Sequence, residues 1–174
     1  MTYKIKRKLM LKNVVFFLAL LIASRFIGLP TNFTPLLALA VFMPRLTDDK
    51  LIQHLLPVCI IAFTNLFLQP VNSIVFFTML MVFAVTPYIS RNSDSLLWGS
   101  LSAVLIWHVT VNGAVWLSSG GSLLNTLIAA IPFDFKLAVS TGLYVLLFHF
   151  AEKFYMSVSQ SNTKLIDKLV LAKT

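Results

Sequence analysis

Long apolar runs constrain this chain more than any other feature. They cover 13–29, 33–46, 51–68, 73–89, 96–117 and 123–154, with short polar breaks between them. A helix crossing a bilayer needs about 20 apolar residues, within a range of roughly 17–25. Four of the first five runs reach that length. Inside lipid the backbone can satisfy its own polar groups only as helix or as closed barrel. The runs lack the period-2 alternation of barrel strands, so the expectation is an all-α integral membrane protein. Only 11% of residues are charged, against about 25% in a soluble domain. A soluble enzyme is therefore excluded, because the chain cannot coat a water-facing surface.

Two runs depart from the length rule. The stretch 33–46 is too short to cross at about 1.5 Å per residue, and Pro35 suits a first helical turn with Thr34 as its cap. Its helix is expected to start below the outer surface. The stretch 123–154 is too long for one span and contains Pro132. It reads as a short surface helix over 122–130 followed by a span over 133–154. The result is one transmembrane domain over 1–174, a six-helix bundle with a basic segment 1–12 and a tail 155–174. In that tail Leu165, Ile166, Leu169 and Val170 fall on one stripe beside Lys164 and Lys168. It either lies on the anionic inner leaflet or frays into solvent.

Charge placement orients the bundle. Lys4, Lys6, Arg7, Lys8 and Lys12 precede the first run, Arg45 and Lys50 flank the junction of the second and third runs, and Arg91 falls between the fourth and fifth. Lys153 closes the last run, and Lys164, Lys168 and Lys173 follow it. All lie on one side of a six-span chain, whereas the breaks 30–32, 69–72 and 118–122 carry no charge; only Arg25 and Lys136 break the pattern. Both termini are expected to be cytoplasmic. The net charge of +8 is thus a topology signal and not a nucleic-acid footprint. The first run has no convincing small-x-small cleavage site, so it reads as a retained span rather than a signal peptide. Trp98 and Trp116 are about 27 Å apart along one helix, the spacing of two interfacial belts.

The chain offers little catalytic chemistry. No P-loop, no H-E-x-x-H and no paired intramembrane carboxylates occur, and the three histidines are dispersed. No catalytic residues and no cofactor are expected. Polar residues within the spans carry the useful signal, since each is costly in lipid and needs a partner or a cavity. Arg25, Asn32, Thr34, Asn65, His108, Asn112, Trp116, Asp134 and Lys136 all fall at the outer level. His108, Asn112 and Trp116 recur at i, i+4 and i+8, on one helix face. Asp134 and Lys136 are two apart, so they must find different partners. Either these groups bond one another, with Arg25 and Asp134 as an ion pair, or some of them line a pocket open to the outside.

The stretch Asn32-Phe33-Thr34-Pro35-Leu36-Leu37-Ala38-Leu39-Ala40-Val41-Phe42 resembles the NFTP…ALALF signature of a family of uncharacterised small prokaryotic membrane proteins. Thr110-Val111-Asn112-Gly113-Ala114-Val115-Trp116-Leu117 is similar to that family's TNFGVWL, and Ala129-Ala130-Ile131-Pro132-Phe133 to its AAIPF. The family's organisation is similar to that of the substrate-binding S components of energy-coupling-factor (ECF) vitamin importers. This resemblance implies a subunit of the prokaryotic plasma membrane that captures a small vitamin-like nutrient at its outer face. Its partners would be a transmembrane coupling subunit and ATPases. Ala19 and Ala23 match the A-x-x-x-A spacing at which S components pack against the coupling subunit. Some cobalamin-binding S components use a cysteine as cobalt ligand, which assigns that role or the plainer one of buried small hydrophobe to Cys59. The chain departs from the pattern at Asn65, where an Asp is expected, and at Met43-Pro44-Arg45, where a Gly-rich segment is expected. The alternative reading is a non-transporting membrane scaffold similar to small rod-shape-determining proteins. A stand-alone carrier is disfavoured because no inverted repeat is visible.

Overall fold

The structure, a computed structural model, describes residues 33–68 and 70–171. These form five helices and no strand: α1 Leu36–Leu46, α2 Lys50–Asn65, α3 Ser73–Arg91, α4 Leu96–Ser119 and α5 Leu123–Leu171. Three of them are long and apolar enough to cross a membrane: α3, α4 and the Leu123–Phe154 part of α5. The run 13–29 and, with it, Ala19, Ala23 and Arg25 lie outside the described residues, as does Asn32.

The short helix is the centre of the fold. From Leu36 to Met43 every residue of α1 is at most 2% exposed, and α1 touches α2, α3, α4 and α5. A helix that is apolar on all sides is stable only when surrounded, and Ala38 and Ala40 let neighbouring backbones come close. At 11 residues it is about 16 Å long, too short to cross, as its sequence implies. Its start differs from expectation. Pro35 occupies the N-cap position in right-handed helical backbone, and no side chain caps the helix, so Thr34 does not do so. Leu39 N–H instead donates to Pro35 O at 2.9 Å.

Around α1 the remaining helices turn apolar faces both inward and outward. Leu66, Phe77, Trp98, Leu117, Phe135 and Phe150 are among many large exposed apolar side chains. A surface of this kind suits lipid and not water. The buried hydroxyls of Thr64, Thr86, Ser100 and Ser140 donate to carbonyls of their own helices, which satisfies those donors locally. Helices α3 and α4 approach closely at Gly99, where a Cβ would lie 3.2 Å from Ser90 Cα. Ser90 Oγ in turn donates to Val41 O of α1 at 2.6 Å.

Three sequence expectations are corrected here. Helix α2 ends at Asn65, after 16 residues, where the apolar run extends to 68. Leu66, Phe67 and Leu68 close a tight turn with hydrogen bonds to carbonyls three residues back, and Pro70 lies just downstream. The final helix does not divide at Pro132. It runs unbroken for 49 residues, about 74 Å, and includes both the stretch read as a surface helix and the tail to Leu171. A helix-interior proline removes one hydrogen bond, whereas breaking the helix among apolar neighbours would orphan several backbone groups. Lastly, Cys59 is exposed, on the outer face of α2, rather than buried.

Candidate functional site

Chain reversal between α4 and α5 creates the site. Gly120 and Gly121 have φ of 76° and 87°, a left-handed backbone that favours glycine. Trp116 Nε1–H donates to Gly121 O at 3.0 Å, and Gly120 N–H donates to Trp116 O at 2.8 Å. The Ser119 end of α4 and the Leu123 end of α5 are thereby held side by side with a cleft between them. Its volume is about 440 Å³, within the range of small-molecule sites. Helix α4 contributes Trp107, Val111, Asn112, Val115 and Ser119; α5 contributes Thr126, Ala129, Ala130, Phe133 and Asp134. Each set follows helical spacing, so each is one face. The small side chains of Ala129 and Ala130 leave the space open.

Asp134 is the polar centre. It is 6% exposed and is the one acidic or basic side chain buried among the described residues. It lies on the inward stripe of α5 with Leu137, Thr141, Val145 and Phe148, all buried, at the i+3 and i+4 steps that keep residues on one face. Its Oδ2 accepts from His108 Nδ1 at 2.7 Å and from Asn112 Nδ2 at 2.7 Å. The carboxylate as acceptor assigns the proton to Nδ1 of His108. Asn112 Nδ2 also donates to His108 O at 2.8 Å. Two acceptors on one nitrogen fix the orientation of that amide, with its carbonyl oxygen turned away from both.

Of the residues expected here, the structure brings together His108, Asn112 and Asp134. Trp116 shares α4 with His108 and Asn112 but fastens the loop instead of lining the cleft. Lys136 is exposed, with Nζ 5.9 Å from the centre of the Phe133 ring, on the side of α5 away from Asp134, as their spacing requires. Thr34 and Asn65 are half-buried and make no side-chain hydrogen bond to this network among the described residues. Arg25 and Asn32 lie outside those residues, so the Arg25–Asp134 pairing does too. Cys59, on α2, is not among the lining residues. Sequence reasoning missed Trp107, Ser119, Thr126 and Phe133. Thr126 stands in the segment read as a surface helix, and the others look like ordinary apolar or loop-end positions until two helices face each other.

At the opposite end of the bundle, Arg45 Nη1 donates to Glu152 Oε2 at 3.5 Å and to His149 Nδ1 at 3.4 Å. Arg91 Nη1 donates to Gln53 Oε1 at 3.2 Å. Arg45, Arg91, His149 and Glu152 thus gather at one end, and the His108–Asn112–Asp134 network lies toward the other, with Lys136 near it. The sequence profile of a family of unknown function, DUF6580, matches residues 4–162. The chain belongs to that family. No curated protein and no solved structure matches it. The match spans α1 through most of α5, including every residue of the cleft.

Proposed function

We propose that this chain is the substrate-binding membrane subunit of an ECF-type importer, capturing a small vitamin-like nutrient at the outer face. The observation that carries this reading is the buried Asp134 carboxylate at the wall of a 440 Å³ cleft. A buried charge is costly unless it is paired or used. In the full arrangement the run 13–29 adds a further span, giving six helices in the S-component manner, with Ala19 and Ala23 facing the coupling subunit. Both termini are cytoplasmic in the prokaryotic plasma membrane, which puts the cleft on the outside. ATP hydrolysis belongs to the partner ATPases, and the chain itself performs no catalysis.

The second reading, a non-transporting scaffold, is favoured by one observation: His108, Asn112 and Asp134 already satisfy one another in part. Two variants separate the readings. Asn112→Leu should weaken ligand binding and leave assembly with the importer module intact. Ala19→Leu should block that assembly and leave binding intact, since a branched side chain keeps helices apart. The measurements are native mass spectrometry of the purified full chain for a co-purified small molecule, and co-purification with the module. Absence of any bound molecule together with normal assembly of Ala19→Leu would favour the scaffold. Orientation is tested by labelling Gly120→Cys from outside and Asn92→Cys from inside. Labelling of both from one side would overturn it.

A further inference from the structure

The hydrogen-bonding capacity left open in the cleft is one-sided. Four polar side chains line it: Asn112, Ser119, Thr126 and Asp134. Both amide protons of Asn112 are engaged, by His108 O and Asp134 Oδ2, which leaves its carbonyl oxygen. Ser119 Oγ donates to Val115 O at 2.8 Å, and Thr126 Oγ1 donates to Ser122 O at 3.1 Å. A hydroxyl that has donated keeps only acceptor capacity. Asp134 accepts twice at Oδ2, and its Oδ1 has no hydrogen-bond partner among the described residues. Trp107 is the one lining residue that keeps a side-chain donor. Around these acceptors stand Val111, Val115, Ala129 and Ala130, with the rings of Trp107 and Phe133.

Charge points the same way. No Lys or Arg side chain pairs with the Asp134 carboxylate among the described residues; its partners are His108 Nδ1 and Asn112 Nδ2, both on Oδ2. Lys136 is exposed and turned toward Phe133. We infer that the cleft recognises a protonated nitrogen, an organic ammonium or guanidinium whose N–H groups donate to Asp134 and Asn112 and whose apolar body rests against the alanine and aromatic walls. This rests on the small-molecule reading above and narrows it to a class. An anionic or purely accepting ligand would meet acceptors and a negative charge. Aromatic faces add to the attraction for a cation.

The test uses the purified full chain in nanodiscs and reads thermal unfolding and calorimetric affinity. The probes are phenethylamine and agmatine as cations, with 2-phenylethanol and phenylacetate as the neutral and anionic counterparts of the first. A cation should raise the unfolding temperature where its counterparts do not. Its affinity should fall on the order of tenfold or more in Asp134→Asn, the loss of a hydrogen bond to a charged group. Ala129→Phe, which fills the cleft without touching its acceptors, should abolish the effect while the unliganded protein unfolds normally. Equal or stronger binding of the alcohol or the carboxylate would overturn the cation assignment and leave small-molecule capture standing. An undiminished cation effect in both variants would place binding elsewhere and also overturn it. No effect from any of the four probes would count against both the class and the capture reading.

Discussion

Replacing Asn112 by leucine removes one of the two donors that tie α4 to the Asp134 carboxylate. The second bond of that amide, to His108 O, costs little to lose, because that carbonyl already serves as an i→i+4 helix acceptor. Hydrogen bonds between helices in membranes average about 0.6 kcal/mol and reach about 1.7, whereas bonds to charged groups contribute about 1.5–3. With a buried carboxylate as acceptor at 2.7 Å, Asn112→Leu should destabilise by about 2 kcal/mol. Asp134→Leu removes the charge itself. It strands the Nδ1–H of His108 and one Nδ2–H of Asn112, both on half-buried residues, for about 1 kcal/mol together. The double variant leaves no unsatisfied carboxylate and should also cost about 1 kcal/mol, not 3. The coupling is thus about 2 kcal/mol, whereas independent sites add within about 0.5. The assay is unfolding by sodium dodecyl sulfate titration in mixed micelles, followed by circular dichroism. Additivity within about 0.5 kcal/mol would refute the network as an energetic unit.

Thr141 Oγ1 is fully buried with no hydrogen-bond partner among the described residues, so Thr141→Val should stabilise by about 1 kcal/mol in the same titration. Gly99→Ala and Gly113→Ala gain the same helix propensity, but a Cβ at Gly99 meets Ser90 at 3.2 Å and one at Gly113 meets nothing within 4 Å. Gly99→Ala should therefore unfold at least about 1 kcal/mol more easily than Gly113→Ala; equal stabilities would show that α3 and α4 do not approach closely there. A nitroxide attached to the exposed Cys59 in nanodiscs should collide more often with oxygen than with a water-soluble nickel complex; the reverse order would place that face of α2 in water.

Much of the site was legible for one reason: a polar group in a long apolar run stands out. His108 and Asn112 share a face by spacing alone, and Asp134 could not share one with Lys136. The cleft walls carry no such mark. Ala129, Ala130 and Thr126 become walls only because α5 continues unbroken through Pro132 and stands against α4. Thr34 was a reasonable cap by residue type, but the chain reaches α1 with Pro35 in that place. Cys59 has the composition of a core residue in a soluble protein, whereas here apolar residues face outward as readily as inward.

By itself the sequence determined that the chain is helical and membrane-seeking, and that α1 is too short to cross. Those conclusions need only length and polarity, because lipid leaves the backbone no other way to satisfy its own groups. Which apolar face turns inward was decided by the tertiary structure alone. In water, burial follows hydrophobicity; in a chain whose surfaces are apolar on every side, hydrophobicity no longer distinguishes inside from outside. Packing between small residues, the reach of individual hydrogen bonds and the two-glycine reversal then set the arrangement. They put α1 at the centre and Asp134 at the edge of a cleft.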